Sequence, residues 1–270
     1  MSRTVVLGAN GMLGYAVRTY FSRKGDVVVA LGRAEFDITA DPMSTLEELL
    51  AGADRVINCA GVIKPRIADM ALEDVLKVNA IFPRNLAQLC NRLEIQLYHV
   101  TTDCVYSGND GGYTEKSYFD AEDIYGLSKN AGDAADCMVL RTSIIGEEEG
   151  QSRSLLEWSR SQAGKQVNGF VNHQWNGVTT LHLAEVIDHI ESKGLYARGI
   201  HHVHSPNVVN KAELLEILND VYGLELTIRP VEAPSACDRS MSSVLPLSAT
   251  VATKPIRQQV KEMRAFFEAD

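Results

Sequence analysis

Thr4-Val-Val-Leu7-Gly8-Ala-Asn-Gly11-Met-Leu-Gly14 is the stretch on which the fold turns. A short apolar run ends in glycine, and glycines recur at the spacing GxxGxxG as a helical stretch, Met12 to Arg23, begins. Gly8 permits a tight turn, Gly11 lets a backbone approach a pyrophosphate, and Gly14 allows close packing of helix on strand. The helix N-terminus adds free N–H groups and the positive end of a dipole, which Asn10, Met12 and Leu13 would frame. Glycines also mark ordinary turns. Here the strand before, the helix after and the place near residue 1 make the motif a phosphate loop.

Outward from this loop the chain alternates strand and helix. Val27–Leu31, Arg55–Asn58, Gln96–Thr101 and Met138–Thr142 read as buried strands. A short helix capped around Ser44, a long helical region Leu72–Leu93 and a helix Ile124–Ala135 lie between them. Such alternation predicts an α/β fold, a Rossmann-type doubly wound parallel sheet with helices on both faces. Beyond about Gly146 the pattern loosens. Helices are expected at Leu155–Gln162, Leu181–Ser192 and Ala212–Tyr222, and strands near Val167–Phe170, His201–His204 and Leu226–Arg229. Asn210-Lys-Ala-Glu213 has the spacing of a capping box. The expected division is a dinucleotide-binding domain, 1–147, completed by about 178–204, with a smaller interwoven substrate-binding part formed by 148–177 and 205–270.

The 270 residues are enough to bury a large core without disulfides. A net charge of -9 argues against nucleic acid or an acidic membrane surface as partner, since both need clustered Lys and Arg. Five cysteines, Cys59, Cys90, Cys104, Cys137 and Cys237, have no CxxC spacing and read as reduced thiols. No apolar run reaches the ~18 residues of a membrane helix, and no leader precedes the first strand, so a cytoplasmic protein is expected.

Dinucleotide domains that take NADH usually place an acid at the end of the second strand for the ribose hydroxyls. Here that strand ends Ala30-Leu31-Gly32-Arg33. Arg33 suits a 2′-phosphate, which favours NADPH over NADH; the alternative is a solvated arginine with Glu35 gripping the ribose.

Tyr125-Gly-Leu-Ser-Lys129 puts a phenol and an ammonium at i and i+4, on one helix face. Carbonyl reduction by hydride needs a proton for the oxygen that becomes an alkoxide. A neighbouring ammonium is expected to pull the phenol pKa down from its ordinary ~10, and the same lysine can hold a ribose. Thr101-Thr102-Asp103-Cys104-Val105-Tyr106 brings a hydroxyl to the C-terminal end of a strand, where doubly wound sheets place their chemistry.

These residues together resemble an extended short-chain dehydrogenase/reductase of the dTDP-4-dehydrorhamnose reductase-like branch. The matching segments are Gly8–Gly14, Phe36-Asp37-Ile38, Asn58-Cys59-Ala60-Gly61, Val78-Asn79-Ala80, Thr101–Tyr106, Tyr125–Lys129 and Arg141-Thr142-Ser143. The similarity is dense from residue 4 to about 146 and looser through Asn176–Thr180 and Gly199–His202. The resemblance implies reduction by NADPH, with NADH open, of the 4-keto group of a nucleotide-linked 6-deoxy sugar. It makes Tyr125 the proton donor, Lys129 its electrostatic partner and Thr102 the orienting hydroxyl. Asp37 and Ile38 would meet an adenine ring, Cys59, Ala60 and Gly61 would line the cofactor cleft, and Asn79 would join the cofactor site. A homodimer is compatible with it.

The chain departs from that pattern in places. Ile144 stands where a tryptophan often follows Arg-Thr-Ser, and Tyr15-Ala16 stand where some members carry an acid for a metal-bridged dimer, so no metal is expected. Cys104 replaces an aromatic residue, and a cysteine at this spacing from Tyr106 takes part in epimerisation in GDP-fucose synthase-like relatives. As a thiolate favoured by cations such as Lys129, Cys104 would make the protein an epimerase or a combined epimerase–reductase, with His173 as the second acid; the alternative is a thiol that simply packs. A regulatory subunit that keeps the cofactor site without turnover is the rival from another class. Asp103, Cys104, His173, Trp175 and Arg239 are the substrate candidates, Arg239 for the diphosphate. Trp175 reads equally as a buried loop anchor and Arg239 as a surface arginine. His202 and His204 share a strand face, but no acid or cysteine sits at ligand spacing nearby.

Overall fold

The structure, a computed structural model, describes residues 1–150 and 154–269. Six parallel strands form the central sheet: β1 (Arg3–Leu7), β2 (Val27–Leu31), β3 (Arg55–Asn58), β4 (Gln96–Thr102), β5 (Met138–Thr142) and a late strand, β10 (Gly199–His202). They run in the order β10-β5-β4-β3-β1-β2. The chain leaves β1 toward β2 and then returns to β3 on the other side, so the strand order reverses between β1 and β3. That reversal opens a crevice at the C-terminal ends of the two strands.

Helices cover both faces. On one, α1 (Met12–Lys24) packs against α8 (Thr180–Lys193), and Leu13, Val17, Phe21, Leu183, Ile187 and Ile190 share one core with the sheet. On the other, α2 (Met43–Leu49) and α5 (Phe82–Arg92) bury Leu46, Phe82, Leu86 and Leu89 against the opposite faces of β1, β3 and β4. α2 starts after Pro42 as its N-cap, not around Ser44: Pro at the cap has no N–H to leave unpaired.

The expected long helix Leu72–Leu93 is divided. α3 (Lys64–Ile67) and α4 (Leu72–Leu76) lead into a π-helical turn, Lys77–Ile81, and α5 follows. Pro83 lacks the N–H that would bond back onto the preceding turn. The carbonyl of Asn79 instead lies against α6 (Ile124–Gly132), where a Cβ on Gly132 would come 2.1 Å from it. A π turn at such a contact places Asn79 close to the helix that carries Tyr125 and Lys129.

The C-terminal half adds α7 (Leu155–Ser161), β7 (Gln166–Phe170), β8 (His173–Trp175), α9 (Lys211–Tyr222), β12 (Thr227–Val231) and β13 (Cys237–Asp238), with β6 (Ile144–Ile145), β9 (Val178–Thr179) and β11 (Val209–Asn210) as short links. The capping box on α9 is present: Glu213 N–H donates to Asn210 at 2.9 Å, and Glu213 accepts from the Asn210 N–H at 2.8 Å. The late sheet strand is Gly199–His202 rather than His201–His204, because Ser205 donates its N–H to Asn176 and turns the chain away. The sequence reading leaves the C-terminus without elements, yet α10 (Pro246–Val251) and α11 (Ile256–Glu268) form there. Ile256, Val260 and Met263 repeat at helical spacing and bury against Trp175, Leu214 and Leu218.

Candidate active site

Gly8 adopts φ +72, and a Cβ there would lie 2.7 Å from the Ala60 nitrogen, so the loops after β1 and β3 touch in the crevice. A Cβ on Gly14 would meet the Gly8 carbonyl oxygen at 2.1 Å, which fixes how closely α1 approaches its own loop. Gly11 differs: its Cβ would find only the Gly8 oxygen, at 3.4 Å, so its outer side is open. Gly11 is also the N-cap of α1, with no side-chain cap and no acid in the first turn. Thirteen helical residues thus end in uncapped N–H groups beside an open glycine, a cradle that fits a dinucleotide phosphate.

At the end of β2, Glu35 is engaged: its carboxylate accepts from Gly32 N–H at 2.8 Å. The Asn10 amide lies against the same turn, for a Cβ on Gly32 would come 2.2 Å from its nitrogen. Arg33 is largely exposed, with Nε donating to Asp37 at 2.9 Å. Asp37 also accepts from the Thr39 N–H and hydroxyl, and these bonds hold its pKa down to about 2. Its carboxylate therefore orients Arg33. Ile38 packs toward Val62 and Val78.

The reactive residues lie where β4 and α6 meet. Asp123 caps α6, accepting from Gly126 N–H at 2.8 Å, and so fixes the first turn bearing Tyr125. The Thr102 hydroxyl accepts from Cys104 N–H at 3.1 Å and lies in hydrogen-bonding reach of the Tyr125 phenol. Burial pushes the Tyr125 pKa up, aided by Cys104, Asp103 and Asp123, with Thr102 opposing. The expected lowering is overturned: desolvation dominates, and the groups acting most strongly on the phenol are Cys104, Thr102, Asp103 and Asp123 rather than Lys129. Tyr125 is thereby kept protonated, the form a proton donor needs.

Lys129 is buried, 5% exposed, and its ammonium makes a long hydrogen bond of 3.4 Å to the Val100 carbonyl. Burial pulls its pKa down and Asp133 and Cys59 raise it. A Cβ on Gly61 would stand 3.5 Å from both the Lys129 ammonium and the Asn79 side-chain oxygen, so the cofactor crevice and the reactive residues are continuous. Asn79 uses its amide as a clamp, accepting from Val62 N–H at 2.8 Å and donating to Val62 O and Ser128, both at 3.1 Å. Its part in the site is to hold the 59–62 loop against α6.

Among the substrate candidates, Asp103 is buried beside Thr102 and faces Arg239 and Lys211. Arg239 donates from Nε to the Tyr106 carbonyl at 2.8 Å and from a terminal nitrogen to Ser107 at 3.1 Å, and lines a cleft of about 340 Å³ with Asp120 and Asp123. Cys104 is not a thiolate: burial and Asp103 push its pKa up to about 12, outweighing Arg239 and Lys64, and Lys129 is not among the cations that act on it. His173 is turned to the Ser235 carbonyl at 3.0 Å and rests on Phe170, so it is not placed as a second acid for Cys104. Trp175 is 5% exposed and donates to Ser143 at 2.8 Å, as a buried anchor would. His202 and His204 spend their ring nitrogens on Tyr106 and Ser242, and on Ser205 and Ser248.

Lys211 was legible only as the residue after a helix cap. It sits at the start of α9, over the Trp175 ring at 5.3 Å, and faces Asp103, Cys104, Cys237 and Arg239. A cation at the positive end of a helix is unfavourable for the helix alone, and its neighbours make it part of the site.

A family profile described as RmlD substrate binding domain matches residues 2–269. The dTDP-4-dehydrorhamnose reductase of Mycobacterium tuberculosis is 28% identical over 258 residues, covering 90% of this chain and 84% of that protein. The dTDP-4-keto-6-deoxy-D-glucose reductase of Streptomyces niveus is 28% identical over 244 residues, covering 85% and 82%. The crystal structure of dTDP-4-dehydrorhamnose reductase from Bacillus anthracis in complex with NADP superposes with a TM-score of 0.83 at 20% identity over 100% of both chains, which shows the shared fold. Doubly wound sheet, phosphate loop and end-to-end family match lead to one conclusion: this chain belongs to the RmlD substrate binding domain family, among the extended short-chain dehydrogenases/reductases of dTDP-4-dehydrorhamnose reductase type.

Proposed function

We propose that this protein is an NADPH-dependent reductase of the 4-keto group of a dTDP-linked 6-deoxy sugar. The observation that carries it is the joining of Thr102, Tyr125 and Lys129 to an open phosphate cradle through Gly61. When bound, the nicotinamide supplies the hydride. Tyr125, kept protonated by burial, donates its proton to the oxygen of the substrate carbonyl, and Thr102 orients that oxygen. Lys129 holds ribose and compensates the phenolate left after donation. Asp103, Lys211 and Arg239 line the substrate side. The direct test is a panel of NDP-4-keto sugars with NADPH, followed by loss of nicotinamide absorbance; no turnover of any dTDP-linked ketone would overturn the reading.

The same reading divides the chain into a dinucleotide-binding domain, 1–147 with about 178–204, and a substrate-binding part, 148–177 and 205–270. Its support is that α8 and β10 belong to the central sheet's layers, whereas α9, α11 and Trp175 share a separate core. The reading also places the enzyme in the cytoplasm as a homodimer, for which the exposed Leu76, Ile81 and Leu127 on neighbouring segments offer an apolar face. A single-chain mass in sedimentation would exclude the dimer. Among the described residues, no helix is long and apolar enough to cross a membrane.

Arg33 supplies the cofactor preference in this scheme. Its Nε is held by Asp37 and its side chain is largely exposed just after β2. A charge-assisted contact with a 2′-phosphate is worth roughly 1.5–3 kcal/mol, so Arg33→Ala is expected to weaken NADPH by ~10- to 100-fold and leave NADH nearly unchanged. Equal losses for both cofactors in a fluorescence titration would remove Arg33 from this role.

The epimerase alternative loses its base, since a thiol with a pKa near 12 is neutral at physiological pH. Enzyme and 4-keto substrate in heavy water without NADPH are expected to show no Cys104-dependent exchange of ring protons, and Cys104→Ala is expected to keep reduction. Exchange at C3 or C5 that vanishes in Cys104→Ala would reinstate the epimerase. The intact Thr102, Tyr125 and Lys129 set speaks against a regulatory subunit without turnover.

A further inference from the structure

We infer that Lys211 is a specificity-determining residue for the substrate: its ammonium, together with the Arg239 guanidinium, takes the diphosphate that joins nucleoside to sugar. The inference deepens the reading above and rests on its nucleotide-linked substrate. Lys211 is the first residue of α9, a helix of 12 residues capped by Asn210. A cation at that position meets the positive end of the helix dipole, so it opposes the helix that carries it. A local rule broken in this way is the mark of a residue kept for function. The half-buried ammonium lies over the Trp175 ring, 5.3 Å from its centroid. Among the described residues it donates no hydrogen bond and joins no ion pair.

Arg239 is likewise without a carboxylate partner among the described residues: Nε and one terminal nitrogen donate to the Tyr106 and Ser107 carbonyls. Lys64, by contrast, already bonds the Asp123 carboxylate at 2.6 Å. The sheet brings the two unpaired cations together. β8 is its middle strand, with β11 on one side and β13 on the other. Val209 pairs with Trp175, and Asp238 pairs with Gln174, so Lys211 follows on one side of β8 and Arg239 on the other. Asp238 N–H also donates to the Gly108 carbonyl at 2.7 Å, which ties β13 to the loop that begins at Thr102. Two cations from separate strands thus stand beside the reactive end of β4. A half-buried cation has lost hydration, and an anionic ligand restores what no carboxylate of the chain supplies. A diphosphate presents several anionic oxygens, which suit a point-charge ammonium and a forked guanidinium at once.

The test is calorimetric titration of dTDP, UDP and GDP, each beside its nucleoside, with NADPH saturating so that the cofactor's own phosphate cradle is filled. Lys211→Met keeps an apolar stem over Trp175 and removes the charge. For the diphosphate that wild type binds most tightly, this variant is expected to lose ~10- to 100-fold in affinity, with the nucleoside unchanged. Lys211→Arg should recover most of the loss. The ligand-free Tm of Lys211→Met should stay level or rise, because the conflict with the helix dipole is gone. In turnover of the 4-keto sugar, KM should rise by the same factor while kcat at saturation holds, the sign of a contact made equally in ground and transition states. Unchanged diphosphate affinity with a raised KM would move Lys211 to the sugar, a carboxylated sugar included, and overturn the inference. A lowered ligand-free Tm with equal losses for diphosphate and nucleoside would make it a prop for Trp175 and overturn it as well, as would a wild type that binds none of the three diphosphates more tightly than its nucleoside. Lys211-dependent diphosphate binding without turnover of any dTDP-linked ketone would uphold the inference and remove the proposed reaction instead.

Discussion

Tyr125→Phe is expected to lower kcat by a factor of ~10² or more, the usual loss on removing a general acid. The argument is local and electrostatic. The phenol is buried at the first turn of α6, fixed by the Asp123 cap, and its neighbours Asp103, Cys104 and Asp123 all disfavour the phenolate. A proton that is held in the resting state is available when negative charge develops on the substrate oxygen. Lys129, four residues on along the same helix, is the cation proposed to stabilise the phenolate that remains. Affinity for NADPH should change little, since the phosphate cradle at Gly11 and the Arg33 site lie apart from the hydroxyl. The check is steady-state kinetics beside a fluorescence titration of NADPH. Near-wild-type turnover by the phenylalanine variant would mean another group delivers the proton.

The second large effect tests the different roles of two glycines in one motif. Gly14→Ala places a methyl 2.1 Å from the Gly8 carbonyl oxygen and 2.7 Å from the Ala9 Cα, both backbone atoms that cannot rotate away. Alanine is the better helix former by ~1 kcal/mol, but the overlap costs ~1–3 kcal/mol or more and distorts the loop, so the clash wins. A lowered Tm together with lost NADPH binding is expected. Gly11→Ala meets only one oxygen at 3.4 Å, and its φ of -83 and ψ of 166 are ordinary for alanine. That variant should melt within about 0.5 kcal/mol of wild type yet bind NADPH at least ~10-fold more weakly, because the methyl occupies the space a phosphate needs. A thermally unaffected Gly14→Ala would refute the packing role, and unchanged NADPH affinity in Gly11→Ala would refute the cradle.

Most of the central sheet was legible because its strands are continuous apolar runs separated by punctuated helices. Regions that were misread share a cause. The break at Lys77–Ile81 comes from Asn79 clamping Val62 and from the close approach of Gly132, contacts made between distant segments. α11 carried its own signal in Ile256, Val260 and Met263, whereas the burial of Trp175 and its bond to Ser143 come from segments remote in the chain. Lys211 had no signature at all, since what makes it a site residue is Asp103, Cys104 and Arg239 arriving from elsewhere in the chain.

The sequence by itself determined the parts whose physics is local. A strand, three glycines and a helix make a phosphate cradle within a few residues, and Tyr125 and Lys129 share a helix face by their spacing alone. Tertiary structure decided the electrostatics around those groups. Burial turned the expected low-pKa phenol into a protonated one, pulled the Lys129 pKa down and raised Cys104 out of the thiolate range. Desolvation and charge pairing depend on which remote segments exclude water and which bring a counter-ion, and neither is written in the spacing of neighbours along the chain.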